Sequence, residues 1–190
     1  DAFDLLEAAL TRHMAGLLSK PPMLTQISEI SALIEALPTH TVRSEDQIRF
    51  QQFSTPADLA ALCVILAQPL ATDIVLEPSA GHGALVATLP DVSALHLNEI
   101  DPRRREKLAL LLPKATLTGI DGAMLASHLD AAVQPSLILM NPPFSRSMGR
   151  GADEFAAVRH LRAAITRLRQ GGRIVAIMPD WFTTSAKLAK

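Results

Sequence analysis

Leu137-Ile138-Leu139-Met140-Asn141-Pro142-Pro143-Phe144 is the stretch on which the reading of the chain turns. Its four leading apolar residues predict a buried strand. The two prolines end that strand, because proline cannot donate to a ladder and it holds the residue before it extended. Asn141 and Phe144 then project from a stiff turn at the carboxyl end of a strand. In open α/β sheets ligands bind at that end.

Working outward, the same rhythm of strand, loop and helix recurs. Downstream, a helix over 153–169 is stopped by Gly171-Gly172, and Arg173-Ile174-Val175-Ala176-Ile177-Met178 follows as a strand. Upstream, Ile74-Val75-Leu76, Leu95-His96-Leu97 and Ala115-Thr116-Leu117 are three more strands. The first leads into an apolar helix start at Ala84-Leu85-Val86, the second into a helix rich in Arg and Leu. Strands alternating with helices predict an α/β fold with a mostly parallel, doubly wound sheet. Before it, Phe3, Leu6, Leu10, Met14 and Leu17 form one helical stripe and Ile27, Ile30, Ile34 and Leu37 a second. Residues 1–50 are therefore expected to be a helical N-terminal segment ahead of a core over 51–190. His13 and His40, far apart and without a ligand pattern, are expected at the surface. Ser54 or Thr55 before Pro56 is expected to cap a helix over 57–68, and Cys63 within it to pack rather than react.

The bulk properties bound the function. A chain of 190 residues, 48% hydrophobic and 19% charged, can bury the core of one sizeable domain. A net charge of −1 gives no global attraction for nucleic acid, so such contact needs a local patch. The single cysteine excludes an internal disulfide and a cysteine-rich zinc site, so no metal is expected, and it fits a reducing, cytoplasmic setting. No apolar run reaches membrane-spanning length. The chain begins with Asp, which suggests a piece cut from a longer protein.

Each strand carries chemistry at its carboxyl end. Gly81-His82-Gly83 lets backbone approach a ligand closely and aims helix N–H groups at negative charge. Leu85 and Val86 stand where the dinucleotide fingerprint has its third glycine, which disfavours a pyrophosphate ligand. Glu99 is placed to accept from both hydroxyls of a ribose, with Asp101 before Pro102 read as a helix cap, and Asp121 to accept from an adenine amino group. Four such loops at one sheet edge form a ligand cleft.

Phe53-Ser54-Thr55-Pro56, Glu77-Pro78-Ser79-Ala80-Gly81-His82-Gly83, Asn98-Glu99-Ile100-Asp101-Pro102, Asp121 and Asn141-Pro142-Pro143-Phe144 together resemble the adenine-N6 DNA methyltransferases. The resembling branch is the one in which the cofactor motifs precede the Asn-Pro-Pro-Phe motif. The wider wording, from Gln51 and from Leu139 to Ser145, is similar to the methylase region of large bacterial, plasmid and phage proteins that carry a strawberry-notch-type helicase. The resemblance spans roughly residues 50 to 182. It implies the class I, Rossmann-like methyltransferase fold and S-adenosylmethionine as methyl donor. Glu99 would hold the ribose, Ile100 the face of the adenine, and Asp121 with Gly122 its amino edge. Glu77, Ser79, Ala80, Gly81 and Gly83 would hold the methionine half, and Thr55 and Pro56 would close over it. Asn141, also beside the cofactor, and the Pro142 carbonyl would accept from the target amine, and Phe144 would stack on a base flipped from the duplex.

Ser145-Arg146-Ser147-Met148-Gly149-Arg150-Gly151 then reads either as a mobile surface loop or as a basic lid touching DNA phosphates, and the two readings are compatible. Arg103, Arg104 and Arg105 read as a solvated helix face, and the arginines of 159–173 as mostly surface. A protein glutamine or an RNA base is a rival substrate, because Asn-Pro-Pro-aromatic motifs serve planar amides and amines generally. A non-catalytic DNA-binding or cofactor-sensing module beside a helicase is the rival from another class. Target-recognition and helicase regions are expected in the longer polypeptide, with a role in restriction-modification or anti-restriction. The final strand is expected to lack its usual neighbours, leaving residues 179–190 or a second copy to cover it.

Overall fold

The computed structural model describes residues 2–17, 22–36, 54–144, 155–180 and 182. Two helices, α1 (Ala2–Leu17) and α2 (Leu24–Glu35), precede α3 (Ala57–Ala67). Then come β1 (Ile74–Glu77), β2 (Ala94–Asn98), α4 (Pro102–Leu111), β3 (Thr116–Thr118), α5 (Leu125–His128), β4 (Leu137–Met140), α6 (Ala156–Arg167) and β5 (Arg173–Ala176). The strands make one sheet in the order β3-β2-β1-β4-β5, with every pairing parallel. The order reverses direction on either side of β1, so the loops after β1 and β4 open a crevice between them.

Alternation along each strand divides the core into two layers. Val75, Leu137 and Leu139 face one side, against Ala60, Cys63 and Val64 of α3 and Leu108 of α4. Leu76, Ile138 and Met140 face the other, against Leu125 of α5 and Leu161 and Ala164 of α6. All four residues of β4 are buried, as a central parallel strand covered on both faces requires. Each large aliphatic side chain withdrawn in this way contributes about 1.5–3 kcal/mol of transfer free energy. Cys63 is buried in the first layer, and its thiol is pushed up to about 11 by burial and by the Glu77 carboxylate. It packs, as expected.

The N-terminal helices are built onto this core. Met14 and Ile30 join Ala57, Ala61 and Ala87 in a third cluster, and Ser31 Oγ donates to Asp58 Oδ2 at 3.0 Å. At the opposite end of the sheet Asp73 gathers three chain segments. It accepts from Leu70 N–H, from Ser136 Oγ at 2.6 Å and from Arg173 Nη2 at 2.6 Å. No helix among the described residues is long and apolar enough to cross a membrane.

Three local expectations fail for physical reasons. The expected helix after Gly83 is a single 3₁₀ turn, Ala84–Val86, because Pro90 follows closely and forces the residue before it out of the helical region. Neither Ser54 nor Thr55 caps α3. Pro56 occupies the cap position without a side-chain bond, and its carbonyl accepts from Ala60 N–H. Arg104 and Arg105 are not a solvated face: Arg104 is 4% exposed, and Arg105 Nη1 donates to the Glu99 carbonyl at 2.7 Å. Among the later arginines, Arg167 and Arg173 are likewise structural, bonding the carbonyls of Asp130 and Val133 and of Ala67 and Gln68. β5 lies at the sheet edge, with Met178 and Phe182 packed on the second layer. His13 is exposed. His40, residues 145–151 and most of 179–190 lie outside the described residues.

Candidate active site

The loops after β1, β2, β3 and β4 meet at one edge of the sheet, and Asn98 fastens the first three together. This buried amide, the last residue of β2, donates through Nδ2 to the carbonyls of Pro78 and Ile120, at 2.9 and 2.7 Å. Its Oδ1 accepts from Thr118 Oγ1 and from Ile120 N–H, both at 2.8 Å. All of its hydrogen-bonding capacity is used, which makes it a rigid staple. The sequence reading quoted Asn98 without giving it a role. A polar residue closing an apolar strand was the available signal.

Glu99 makes the second connection. Its Oε2 accepts from Gly81 N–H at 2.7 Å and its Oε1 from Asp101 N–H at 2.8 Å, so the glycine loop is tied to the loop after β2. The residue is 7% exposed. Burial raises its pKa, against the opposing pull of those two N–H groups and the Arg104 charge. Each carboxylate oxygen still has a second lone-pair direction. Asp101 caps α4 through Arg103 N–H, as expected, and Ile100 stands exposed beside it. Asp121 caps the short turn Gly122–Met124 through Ala123 N–H at 3.0 Å. Gly122 is needed for space, since a Cβ there would lie 2.6 Å from His160 Nδ1.

Gly83 has φ of 81°, and a Cβ would sit 3.1 Å from Leu108 and 3.2 Å from Leu112. Its smallness therefore lets α4 close against the loop rather than admitting a ligand. Ala80 N–H donates to the Asn98 carbonyl at 2.9 Å. Ser79 is half-buried. Glu77, at the end of β1, is 2% exposed, with Oε2 lacking a hydrogen-bond partner among the described residues. Burial and the neighbouring Glu99 charge hold its carboxyl well above the ordinary range.

Asn141 is oriented from across the crevice. Its Nδ2 donates to Thr55 Oγ1 at 3.0 Å. Pro142 behind it is buried, while Phe144 is 38% exposed. The strand-ending turn is held on its far side by Ile177 N–H, which donates to the Met140 carbonyl at 2.9 Å.

A cavity of about 290 Å³ opens here. Thr55, Pro56, Ser79, Gly81 and Asn141 line it, so the structure brings together the expected residues of three motifs. Its opposite wall is α1, through Leu6, Glu7, Leu10 and Met14. The sequence reading missed that wall. His82 Nδ1 lies 2.9 Å from Glu7 Oε2, joining the wall to the glycine loop. Glu99, Ile100 and Asp121 are not among the residues that line this cavity; Glu99 is tied to it through Gly81 N–H, which donates to its Oε2.

No protein-family model matches the chain, and no curated protein is detectably similar to it. Solved structures do share its architecture. A protein of Pyrococcus horikoshii named as an RNA methyltransferase is 21% identical, with a TM-score of 0.56 over 76% of this chain and 71% of that one. TrmN from Thermus thermophilus is 22% identical, with a TM-score of 0.55 over 73% of this chain and 44% of that one. A type I restriction enzyme modification subunit from Vibrio vulnificus is 16% identical, with a TM-score of 0.52 over 67% of this chain and 34% of that one. At these identities the likeness establishes the fold, which is that of the class I methyltransferases.

Proposed function

We propose that this chain is an S-adenosylmethionine-dependent methyltransferase that methylates the exocyclic N6 amine of adenine in DNA, directly and on a flipped-out base. The observation that carries the proposal is the Asn141 amide, held by Thr55 at a cavity that the glycine loop also lines. With Nδ2 engaged by Thr55, the acceptor end of that amide is the end a substrate amine meets. The fold of the compared structures supports the same class.

The residues present fit the cofactor. Glu99 keeps lone pairs for two ribose hydroxyls, exposed Ile100 offers an apolar face to the adenine, and Asp121 with Gly122 stands at its amino edge. The cavity beside Ser79, Ala80, Gly81 and Asn141 takes the methionine half, with Glu77 and Gly83 shaping the loop and Thr55 and Pro56 closing it. When bound, S-adenosylmethionine supplies a sulfonium methyl as electrophile. An adenine amine is a weak nucleophile because its lone pair is delocalised into the ring. Asn141 Oδ1 and the Pro142 carbonyl accept its two N–H groups and pull the nitrogen toward tetrahedral geometry, freeing the lone pair. Once methylated, the nitrogen would give its surplus proton to water, while Asn141 Oδ1 and the Pro142 carbonyl hold the amine in place. Phe144 stacks on the flipped base, worth about 1–3 kcal/mol.

In this reading residues 1–50 are a helical segment over the catalytic core of 51–190, and the basic loop 145–151 meets DNA phosphates. Recognition and helicase regions belong to a longer cytoplasmic protein of restriction-modification or anti-restriction type. Similarity to a protein named as an RNA methyltransferase supports RNA as the second reading.

The test is methyl transfer from labelled S-adenosylmethionine to DNA, RNA and protein, with each product digested and separated. Label in N6-methyldeoxyadenosine supports the proposal. Label confined to a ribonucleoside or an amino acid would replace the substrate, and no transfer to any of them would favour the non-catalytic module.

A further inference from the structure

The helix α1 is held to the core unevenly along its length. In its second half Thr11 and Met14 are 4% and 2% exposed, and Met14 packs with Ile30, Ala57, Ala61 and Ala87. None of residues 5–10 is buried, and Leu5 is 63% exposed. Yet this first half walls the cavity, through Leu6, Glu7 and Leu10, and the glycine loop lines the other side with Ser79, Gly81 and Ala84. Glu7 also reaches across to that loop: its Oε2 lies 2.9 Å from Nδ1 of the buried His82. An element with little buried surface opens at small cost, since opening free energy follows the contacts broken. Access to a cavity walled by such an element changes whenever its loose end moves.

We propose that the first half of α1 is a lid over the cavity, pivoting about Thr11 and Met14 and latched to the glycine loop through Glu7 and His82. This rests on the S-adenosylmethionine reading above and adds the regulation of that site: ligand enters and leaves with the latch open and is enclosed with it shut. Closure places Leu6 and Leu10 over the ligand and keeps water from it. The latch joins two protein groups whether the closed cavity is empty or filled. Its strength therefore sets the rates of ligand exchange and largely cancels from the affinity.

The experiment follows amide hydrogen exchange and stopped-flow binding of the full chain with S-adenosylhomocysteine. In wild type the ligand should slow exchange at residues 5–10 by about tenfold or more beyond its effect on α6, which reports general stabilisation. Glu7→Gln should raise the association and dissociation rates together, by about threefold or more, with affinity held within about twofold. Dissociation that quickens alone, with affinity lost in proportion, would make Glu7 a ligand contact and overturn the lid. Unchanged rates in the variant would overturn it too, as would exchange at residues 5–10 that the ligand slows no more than at α6. Should Glu7→Gln not fold, the exchange measurement on wild type decides by itself. Wild type that binds no S-adenosylhomocysteine would overturn the cofactor reading and the lid with it. Binding without the exchange and rate changes would overturn the lid and leave that reading standing.

Discussion

Asn141 and Thr55, 86 residues apart in the chain, are joined by a hydrogen bond of 3.0 Å from the amide Nδ2 to the hydroxyl. The bond spans the crevice between the turn after β4 and the start of α3, and it sets which end of the amide faces the cavity. Asn141→Ala should therefore cut methyl transfer to a small residual rate, readable in a single turnover, while leaving cofactor affinity largely intact. Thr55→Val, which removes the orienting oxygen, should lower kcat by about three- to tenfold, the scale of one neutral hydrogen bond. Single-turnover transfer assays on the two variants and the double variant check the link. Thr55→Val should have no further effect once Asn141 is gone, and an additive loss would contradict an orienting role.

Phe144 is the exposed aromatic of the turn after β4. Phe144→Ala should weaken productive binding of the target base by about 1–3 kcal/mol and act on KM for the nucleic acid more than on cofactor affinity. Fluorescence of 2-aminopurine at the target position reports the flipped base directly. An unchanged signal and KM would remove Phe144 from the stacking role.

The titration of two buried acids gives opposite pH dependences. Glu77 has its pKa raised well above 4.5, chiefly by burial and then by the Glu99 charge. From 4.5 up to the raised value the folded state holds the extra proton, so stability falls as pH rises through that window. Asp73 is lowered from 3.8: burial opposes, but bonds from Ser136, Leu70 and Arg173 and the Arg173 charge outweigh it. Its contribution is present above 3.8 and is lost as pH falls through the native value. Glu77→Gln should accordingly raise the melting temperature more at about pH 8 than at about pH 5. Melting curves across that range check it, and a variant with the wild-type pH slope would contradict the assignment.

Asn98→Ala should cost about 3 kcal/mol or more, since it strands the Pro78 and Ile120 carbonyls, the Ile120 N–H and the Thr118 hydroxyl in partly dry surroundings. Denaturant unfolding measures the loss. Because the amide staples three site loops, ligand affinity should fall with it.

What could be read from the sequence divides along physical lines. The strand positions were legible because Leu137–Met140 and its counterparts are short apolar runs stopped by proline, glycine or acid, and the parallel order follows from their alternation with helices. The site edge was legible for the same reason: strand ends in such a sheet share one rim. Partnerships across the crevice were not. Nothing local shows that Thr55 meets Asn141 instead of capping α3, or that Glu7 of α1 reaches His82. Arg104 looked solvated because it sits in an arginine triplet, yet α4 turns that one side chain inward beside Gly81. The helix expected after Gly83 was read from apolar residues whose burial a single turn already achieves.

The central claim is that the groove between Gly81, Glu99 and Asp121 binds S-adenosylmethionine, and calorimetric titration with S-adenosylhomocysteine tests it most directly. Wild type should bind, and Glu99→Ala should bind more weakly by about 1.5–3 kcal/mol, the range for hydrogen bonds to a charged acceptor. A wild-type chain that takes up no S-adenosylhomocysteine, or a Glu99→Ala variant with undiminished affinity, would contradict it.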